Sequence, residues 1–263
     1  MDLQLNDKTA LITGSTGGIG LAIARKLAVE GAKVVVTGRT QAKLDRAVES
    51  IRAAGGAHVN GVLADPATTE GAATLLAARP FVDILVNNLG IYEIKNFIDI
   101  TDEDWRRYFE VNVLSGARLA RAYFSGMLQK NWGRIIFISS ESGVQIPPEM
   151  IHYGVTKTAQ LAVSRGLAES LAGTGITVNC VLPGPTRSRG VEDFVDALAK
   201  REGKTFAQFE TEFFQKVRPT SLIKRFATPD EVASLVAYIA SPLASATTGA
   251  ALRVDGGVLK AAF

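Results

Sequence analysis

The chain has 263 residues, of which 47% are hydrophobic, and a formal net charge of +3. This length and apolar content suffice for a well-buried core. Lys and Arg are interspersed with acids, which argues against a basic nucleic-acid-binding arm. No apolar run reaches the roughly 20 residues needed to span a bilayer, and the N-terminus has no signal-peptide pattern. We therefore predict a cytoplasmic protein with no nucleic-acid or membrane partner.

The single cysteine, Cys180, lies in an apolar run, where we expect a buried and inert thiol. One cysteine cannot form an intrachain disulfide, which fits a reducing cytosol. The two histidines, His58 and His152, are far apart in the chain, so with one cysteine they cannot build the usual His/Cys metal sites. We predict no metal site.

Short, β-branched apolar runs alternate with longer amphipathic stretches along the chain. The runs predict strands at 9–13, 33–37, 58–63, 82–87, 134–139, 176–182 and 251–254. The amphipathic stretches predict helices at 18–30, 40–54, 67–78, 102–130, 151–173 and 229–240. This alternation predicts an α/β fold: a doubly wound parallel sheet of about seven strands with helices on both faces. Because the alternation is continuous, we expect residues 1–263 to form one domain.

One stretch, residues 185–226, breaks the alternation. It carries PTRSRG and two short helical patterns before a regular helix resumes. A long insertion of this kind usually forms a lid or substrate loop, which we predict here; the alternative is a packed helical appendage without a function. Arg187, Arg189 and Lys204 in this stretch are candidates for contacting an anionic substrate or the phosphates of a cofactor.

A glycine-rich turn, TGSTGGIG, follows the first predicted strand, and Gly14, Gly18 and Gly20 in it are spaced G-x-x-x-G-x-G. Glycines let the backbone approach a pyrophosphate closely, and the N-terminus of the next helix supplies amide groups and a positive dipole end. An ordinary turn is the alternative interpretation. We predict a dinucleotide site, with cofactor contacts from Gly14, Ser15, Thr16, Gly18, Ile19 and Gly20.

The end of the second predicted strand indicates which dinucleotide binds. Gly38 stands where an acid for the ribose 2′-hydroxyl is expected, and Arg39 follows it. A guanidinium can bind a 2′-phosphate in a bidentate manner, so we favour NADP(H) over NAD(H). The alternative is that Arg39 is a solvated surface residue. Asp65, after the third strand, is a candidate for contacting the adenine, or else a loop cap before Pro66.

Several further motifs accompany the glycine loop in a fixed order: NNLG (87–90), Asn112, Ser140, Tyr153 with Lys157, and the turn Pro183–Gly184. Together they resemble the short-chain dehydrogenase/reductase family, in particular its 3-oxoacyl-carrier-protein reductase-like oxidoreductases. The spacing of thirteen residues from Ser140 to Tyr153 and four from Tyr153 to Lys157 is highly specific. The resemblance runs from about Lys8 to Gly257 and implies a Rossmann-like fold and a homotetramer or homodimer.

The resemblance also implies a role for each matching residue. Tyr153 is the general acid/base, and Lys157 together with the oxidised nicotinamide lowers its pKa. Ser140 orients the substrate carbonyl, and Asn112 holds a water that links Lys157 to solvent. The further cofactor contacts that it implies are Tyr153, Lys157, Asn88, Gly90, Pro183, Gly184, Thr186 and Ser188.

Residues close to Tyr153 in sequence are expected to line the substrate pocket. Glu141 follows Ser140 directly and is a candidate for contacting a substrate hydroxyl or amine; a solvent-facing acid is the alternative. The predicted substrate-binding set is Ser140, Glu141, Gln145, Tyr92 and His152. Its mixed chemistry selects no substrate class.

The sequence thus predicts an NADP(H)-dependent oxidoreductase. It transfers a hydride between the nicotinamide and a carbonyl or alcohol carbon of a small molecule, and a tyrosine moves the proton. The alternatives are an NAD(H)-dependent dehydrogenase of the same family and a non-catalytic NADP-binding sensor.

Overall fold

The apolar runs form seven strands of one sheet in the computed structural model, which describes residues 1–188 and 204–262. The strands are β1 Thr9–Ile12, β2 Lys33–Gly38, β3 Val59–Leu63, β4 Ile84–Asn87, β5 Gly133–Ile138, β6 Ile176–Pro183 and β7 Ala251–Val254. Their order is β3-β2-β1-β4-β5-β6-β7, and every neighbouring pair is parallel. The predicted doubly wound α/β fold is confirmed.

The helices cover both faces of this sheet. They are α1 Gly18–Val29, α2 Gln41–Ala53, α3 Thr69–Ala78, α4 Asp102–Phe109, α5 Ser115–Lys130, α6 Ile151–Ser170, α7 Phe206–Lys216 and α8 Pro229–Ala240. The stretch predicted as one helix over 102–130 differs from the prediction, because a π-helical turn, Glu110–Leu114, separates α4 from α5. Helix α7 lies within the predicted insertion, and Arg189 of that insertion lies outside the described residues.

Alternate residues of a strand point to opposite faces of the sheet. In β1, Ala10 and Ile12 belong to an apolar cluster on one side, and Leu11 belongs to a cluster on the other. The first cluster includes buried side chains of α1 and α8, and the second includes buried side chains of α5. Both faces are therefore covered, which explains why the strands are apolar almost throughout.

The strand order changes direction between β1 and β4. In such sheets, the loops after these two strands diverge and leave a crevice at the carboxyl edge, where ligands bind. The glycine loop follows β1 and NNLG follows β4, so both flank this crevice. Cys180, in β6, is buried as predicted, and burial raises the pKa of its thiol to about 12. Within the described ranges, no helix has the length and apolar character to cross a membrane.

Candidate active site

The glycine loop forms a tight cradle at the start of α1. Gly14 and Gly18 adopt left-handed backbone angles, with φ of +61° and +54°, which favour glycine. A Cβ on Gly20 would lie 2.5 Å from both the side-chain nitrogen of Asn88 and the carbonyl oxygen of Gly14. Only hydrogen fits there, so α1 starts close against the loop. This cradle at a helix N-terminus fits the pyrophosphate of a dinucleotide.

The loops after β1 and β4 are joined by hydrogen bonds. The Thr13 hydroxyl accepts from the backbone amides of Asn88, at 2.9 Å, and Leu89, at 3.0 Å. In return, the Asn88 side chain donates to the carbonyl oxygens of Thr13, at 2.9 Å, and Gly14, at 3.2 Å. Asn88 therefore supports the glycine loop with its side chain. Thr13 was not among the predicted site residues, although a hydroxyl next to a glycine turn was a signal for it.

The Ser15 hydroxyl is engaged inside the protein. It donates to the carbonyl oxygen of Ile12 at 2.7 Å, accepts from the amide of Thr37 at 2.9 Å, and is fully buried. Ser15 thereby ties the glycine loop to β2. Its contact with a cofactor stays a prediction.

The end of β2 lies against the same loop. A Cβ on Gly38 would approach the Thr16 methyl to 2.6 Å, so an acidic side chain at this position would displace Thr16. The next residue, Arg39, is exposed, and no hydrogen bond or ion pair within residues 1–188 and 204–262 engages its guanidinium. Residues 38 and 39, at the edge of the cradle, therefore offer an available cation and no carboxylate. This is where the 2′-hydroxyl of NAD(H) or the 2′-phosphate of NADP(H) is expected.

The remaining predicted cofactor residues surround the crevice. A Cβ on Gly18 would lie 3.3 Å from the Ser188 Cβ, so the segment after β6 folds over the glycine loop. Thr186 is buried and donates to the carbonyl oxygen of Gly184 at 2.9 Å. One Asp65 oxygen accepts from the amide of Ala67 at 3.0 Å, which is the loop cap that was the alternative interpretation.

Tyr153, Ser140 and Lys157 come together beside this crevice, on α6 and at the end of β5. The Lys157 ammonium lies 5.6 Å from the centre of the Tyr153 ring, as expected for residues one helical turn apart. The backbone of Gly90, in the loop after β4, borders the cluster, because a Cβ there would lie 3.4 Å from the Lys157 Nζ. The NNLG motif and the Tyr153–Lys157 pair thus meet in space.

Tyr153 is partly buried, and its surroundings favour the neutral phenol. Burial, followed by the negative charge of Glu141, raises its pKa, and a hydrogen bond with Ser140 acts in the opposite direction. This direction is opposite to the lowering expected for the complex with an oxidised cofactor. The difference has a physical reason: the free protein contains no nicotinamide charge, and the nearest carboxylate disfavours a phenolate.

Lys157 is buried, and its ammonium is held by protein groups. It donates to the carbonyl oxygen of Ile138 at 2.8 Å and to the side-chain oxygen of Gln160 at 3.3 Å. Burial lowers its pKa to about 8, because a low-dielectric environment disfavours the charged form.

Asn112 lies in the π-helical turn, where its side chain is fully engaged. It accepts from the Ile91 amide at 2.8 Å and donates to the Ile91 carbonyl and the Thr156 hydroxyl, each at 3.0 Å. The Gln160 side chain donates to the backbone carbonyl of Asn112 at 2.5 Å. Gln160 therefore bridges Lys157 and Asn112, and the water that the resemblance assigns to Asn112 stays a prediction. A single glutamine in a helix offered no sequence signal for this role.

Glu141 is buried and paired, which differs from the solvent-facing alternative. One carboxylate oxygen accepts from the Ser140 hydroxyl at 2.5 Å, and the other accepts from the Arg218 guanidinium at 3.2 Å. The side chains of Glu141 and Arg218 are only 7% and 14% exposed. Arg218 follows α7 and was not among the predicted site residues, because 77 residues separate it from Glu141.

The prediction that His152 binds substrate is wrong. Its side chain is fully buried and packs against the rings of Tyr108, 4.1 Å away, and Trp105, 6.3 Å away. Successive residues of a helix point in different directions, so the neighbour of Tyr153 faces α4. Burial lowers the pKa of His152, and its two ring nitrogens have no hydrogen-bond partner in the described structure.

Other predicted pocket residues have mixed surroundings. Tyr92 is half exposed and makes an edge-to-face contact with Tyr153, with ring centres 6.3 Å apart. Gln145 is exposed and lines, with Arg218, a cavity of about 400 Å³. Arg187 lies over the Phe206 ring, and Lys204 forms an ion pair with Glu212 at 3.0 Å.

The fold and this arrangement agree with comparisons to known proteins. A family model described as "Enoyl-(Acyl carrier protein) reductase" matches residues 14–259. The protein "Uncharacterized oxidoreductase YvaG" of Bacillus subtilis is 47% identical over the whole of both chains. D-beta-hydroxybutyrate dehydrogenase of Cupriavidus necator is 35% identical, covering 97% of this chain and 98% of that protein.

Among solved structures, L-sorbose reductase from Gluconobacter frateurii, complexed with NADPH and L-sorbose, is similar with a TM-score of 0.93. It is 35% identical, and the match covers 99% of this chain and 100% of that one. The chain belongs to the short-chain dehydrogenase/reductase family. It is an NAD(P)-dependent oxidoreductase acting on carbonyl or alcohol groups of a small molecule.

The close approach at Gly20 predicts that a Gly→Ala substitution there destabilises the protein, whereas the same substitution at an open helical site stabilises it. Because its Cβ has no room, Gly20→Ala is expected to lower the free energy of unfolding by about 1–3 kcal/mol. Gly166→Ala, in α6 with no neighbour within 4 Å of the added Cβ, is the matched control and is expected to raise it by up to about 1 kcal/mol. Urea denaturation measures both. Equal effects of the two substitutions would contradict the close approach.

The pKa of Lys157 predicts how stability depends on pH. This pKa is about 8 in the folded protein and about 10.4 in an unfolded chain. Between these values the unfolded state binds more protons, so the contribution of Lys157 to the unfolding free energy rises with pH. Relative to Lys157→Met, the cofactor-free protein is therefore expected to gain on the order of 3 kcal/mol from about pH 7 to about pH 10.

Urea titrations at several pH values test this expectation, with Lys43→Met, on exposed α2, as the control for removal of one lysine. A stability difference between the natural protein and Lys157→Met that stays flat or falls over this range would contradict it.

Proposed function

We propose that the protein is an NADP(H)-dependent oxidoreductase in which Tyr153 exchanges a proton with the substrate oxygen. The observation that supports this most directly is the cluster of Tyr153, Ser140 and Lys157 beside the glycine cradle. A bound nicotinamide supplies or accepts the hydride at the substrate carbon. This chain's own residues supply the proton, orient the substrate and bind the cofactor.

The neutral phenol of Tyr153 suits the reduction of a carbonyl. Burial and Glu141 raise its pKa, so the free protein holds the proton that the substrate oxygen must receive. As the carbonyl carbon gains a hydride and its π bond breaks, the phenol O–H gives its proton to the oxygen, and an alcohol forms. In the reverse direction, Lys157 and the charge of an oxidised nicotinamide favour the phenolate that takes the proton back.

Lys157 is proposed to return the proton to Tyr153 and to regain its own proton from solvent, while Gln160 positions its ammonium. The Lys157 ammonium has a pKa of about 8, near neutral pH, which is suited to proton exchange. Gln160 and the Asn112 carbonyl hold its position through hydrogen bonds. Asn112 contributes by fixing this backbone in place.

The preference for NADP(H) is proposed from Arg39, which is exposed and available at the edge of the cradle, and from the close packing of Gly38 on Thr16. The NADPH bound in the similar L-sorbose reductase supports it. NAD(H) is the second candidate. The relatives leave two substrate classes open, a sugar ketone and a hydroxy acid. The cytoplasmic location, the homotetramer or homodimer and the single domain with its substrate loop stay predictions.

Removal of the Tyr153 hydroxyl tests the proton transfer. Tyr153→Phe is expected to lower kcat by about 10²–10⁴-fold, because general acid catalysis is lost, while the Kd for NADPH stays within about threefold. Turnover is followed by the absorbance of NADPH. Tyr123→Phe is the matched control, since this buried hydroxyl has no partner in the described structure and its loss is expected to leave kcat unchanged. Full activity of Tyr153→Phe would exclude the proposed mechanism.

The role of Arg39 is tested by cofactor affinity. Arg39→Ala is expected to weaken NADPH binding by about 10- to 100-fold, because a charge-assisted contact with the 2′-phosphate is lost. NADH, which lacks this phosphate, is expected to bind with the same Kd within about threefold. Arg46→Ala, at an exposed site on α2, controls for the general loss of positive charge. Fluorescence titration measures each Kd, and tighter binding of NADH than NADPH by the natural protein would refute the preference.

A further inference from the structure

A buried ion pair lies directly beside the Ser140 hydroxyl. The Glu141 and Arg218 side chains are 7% and 14% exposed, and the Arg218 Nε lies 3.2 Å from the Glu141 Oε1. Removing charges from water is costly unless they are paired. Arg218 offsets this cost for Glu141 and occupies one of its two oxygens. The other oxygen, Oε2, therefore faces Ser140 as a strong hydrogen-bond acceptor.

The contact with Glu141 prevents Ser140 from donating a hydrogen bond to a carbonyl. Ser140 Oγ donates to Glu141 Oε2 at 2.5 Å. A serine hydroxyl has only one proton to donate. While Glu141 accepts that proton, Ser140 has none to offer to a substrate carbonyl oxygen. Productive binding of a ketone therefore requires another donor to take the place of Ser140 on Glu141.

A hydroxyl on the carbon next to the carbonyl has the geometry to be that donor. In such a ketone the two oxygens are separated by about 2.8 Å, close to a hydrogen-bond length, and Ser140 Oγ and Glu141 Oε2 are separated by 2.5 Å. We infer that Glu141 is a specificity-determining residue that selects α-hydroxy ketones and, in the reverse direction, vicinal diols. This inference rests on the proposed function and names its substrate class.

Binding then proceeds as an exchange of hydrogen bonds. The neighbouring hydroxyl of the substrate donates to Glu141 Oε2, and the released proton of Ser140 points to the carbonyl oxygen, next to the Tyr153 phenol. A ketone without that hydroxyl either leaves Ser140 bound to Glu141 or leaves the buried carboxylate short of one donor. Either outcome lowers the stabilisation of the transition state, because a hydrogen bond is missing at the substrate carbonyl or at the buried carboxylate.

Arg218 acts as a positioning residue in this device. It fixes the carboxylate through Oε1, so that Oε2 stays on the side of Ser140. It also follows α7 and lines the cavity of about 400 Å³ together with Gln145 and Lys216.

Two matched substrate pairs test the inference. They are 3-hydroxy-2-butanone against 2-butanone, with NADPH, and 2,3-butanediol against 2-butanol, with NADP⁺. For the natural protein, kcat/KM is expected to be about 10- to 100-fold higher for the hydroxylated member of each pair. In Glu141→Ala this ratio is expected to fall to within about threefold, because the hydroxylated member loses its acceptor and the other member no longer competes with Glu141 for the Ser140 proton.

Two further variants separate selection from a structural effect. Glu149→Ala removes another carboxylate near Arg218, at 3.8 Å, and is expected to keep the ratio of the natural protein. Glu141→Gln keeps the shape of the side chain without its charge and is expected to give an intermediate ratio. Thermal unfolding and NADPH affinity of each variant verify folding; should Glu141→Ala not fold, Glu141→Gln and the natural protein still decide the question.

The possible outcomes test the inference separately from the proposed function. Equal kcat/KM for both members of each pair in the natural protein would overturn the inference and leave the proposed function intact. The same holds if Glu141→Ala retains the full ratio, or if 3-hydroxybutyrate, which has no hydroxyl next to the reacting carbon, is oxidised faster than 2,3-butanediol. Turnover of none of these compounds, with cofactor binding intact, would overturn the inference, and the proposed function itself would be contradicted by a lack of turnover over a wider panel of carbonyls and alcohols that includes sugar ketones.

Discussion

The site depends on the contact between the loops that follow β1 and β4. Thr13 and Asn88 exchange hydrogen bonds across this gap, and Gly20 lets the start of α1 lie against both. The same β4 loop continues to Gly90 and Ile91, which meet Lys157 and Asn112. The loop after β4 therefore contacts both the cofactor cradle and the proton-transfer cluster. A disturbance of Thr13 or Asn88 would displace both.

Much of the fold followed from patterns that are local in the sequence. The seven strands are continuous apolar runs because both faces of the sheet are covered, and the spacing of Tyr153 and Lys157 placed both on one face of a helix. The π-helical turn at Glu110–Leu114 was missed, since an amphipathic pattern does not distinguish one extra residue in a turn.

The parts of the site that could not be predicted depend on distant contacts or on side-chain direction. Arg218 meets Glu141 across 77 residues of chain, and no local pattern relates them. His152 is adjacent to Tyr153 in sequence, yet its side chain packs on Tyr108 because the helix turns it toward α4. Nothing in the sequence indicated that the Ser15 hydroxyl completes the contact between β1 and β2.

Three ionisable groups near the crevice are buried or partly buried, which disfavours their charged forms, and each is accommodated differently. Lys157 has no carboxylate partner among the groups that hold it, so burial lowers its pKa toward neutrality. Tyr153 stays neutral, because burial and a nearby carboxylate both oppose ionisation. Glu141 is paired with Arg218. An ion pair has no direct use in moving a proton between Tyr153 and Lys157, and its position one residue from Ser140 is better explained by recognition of what the substrate carries beside its carbonyl.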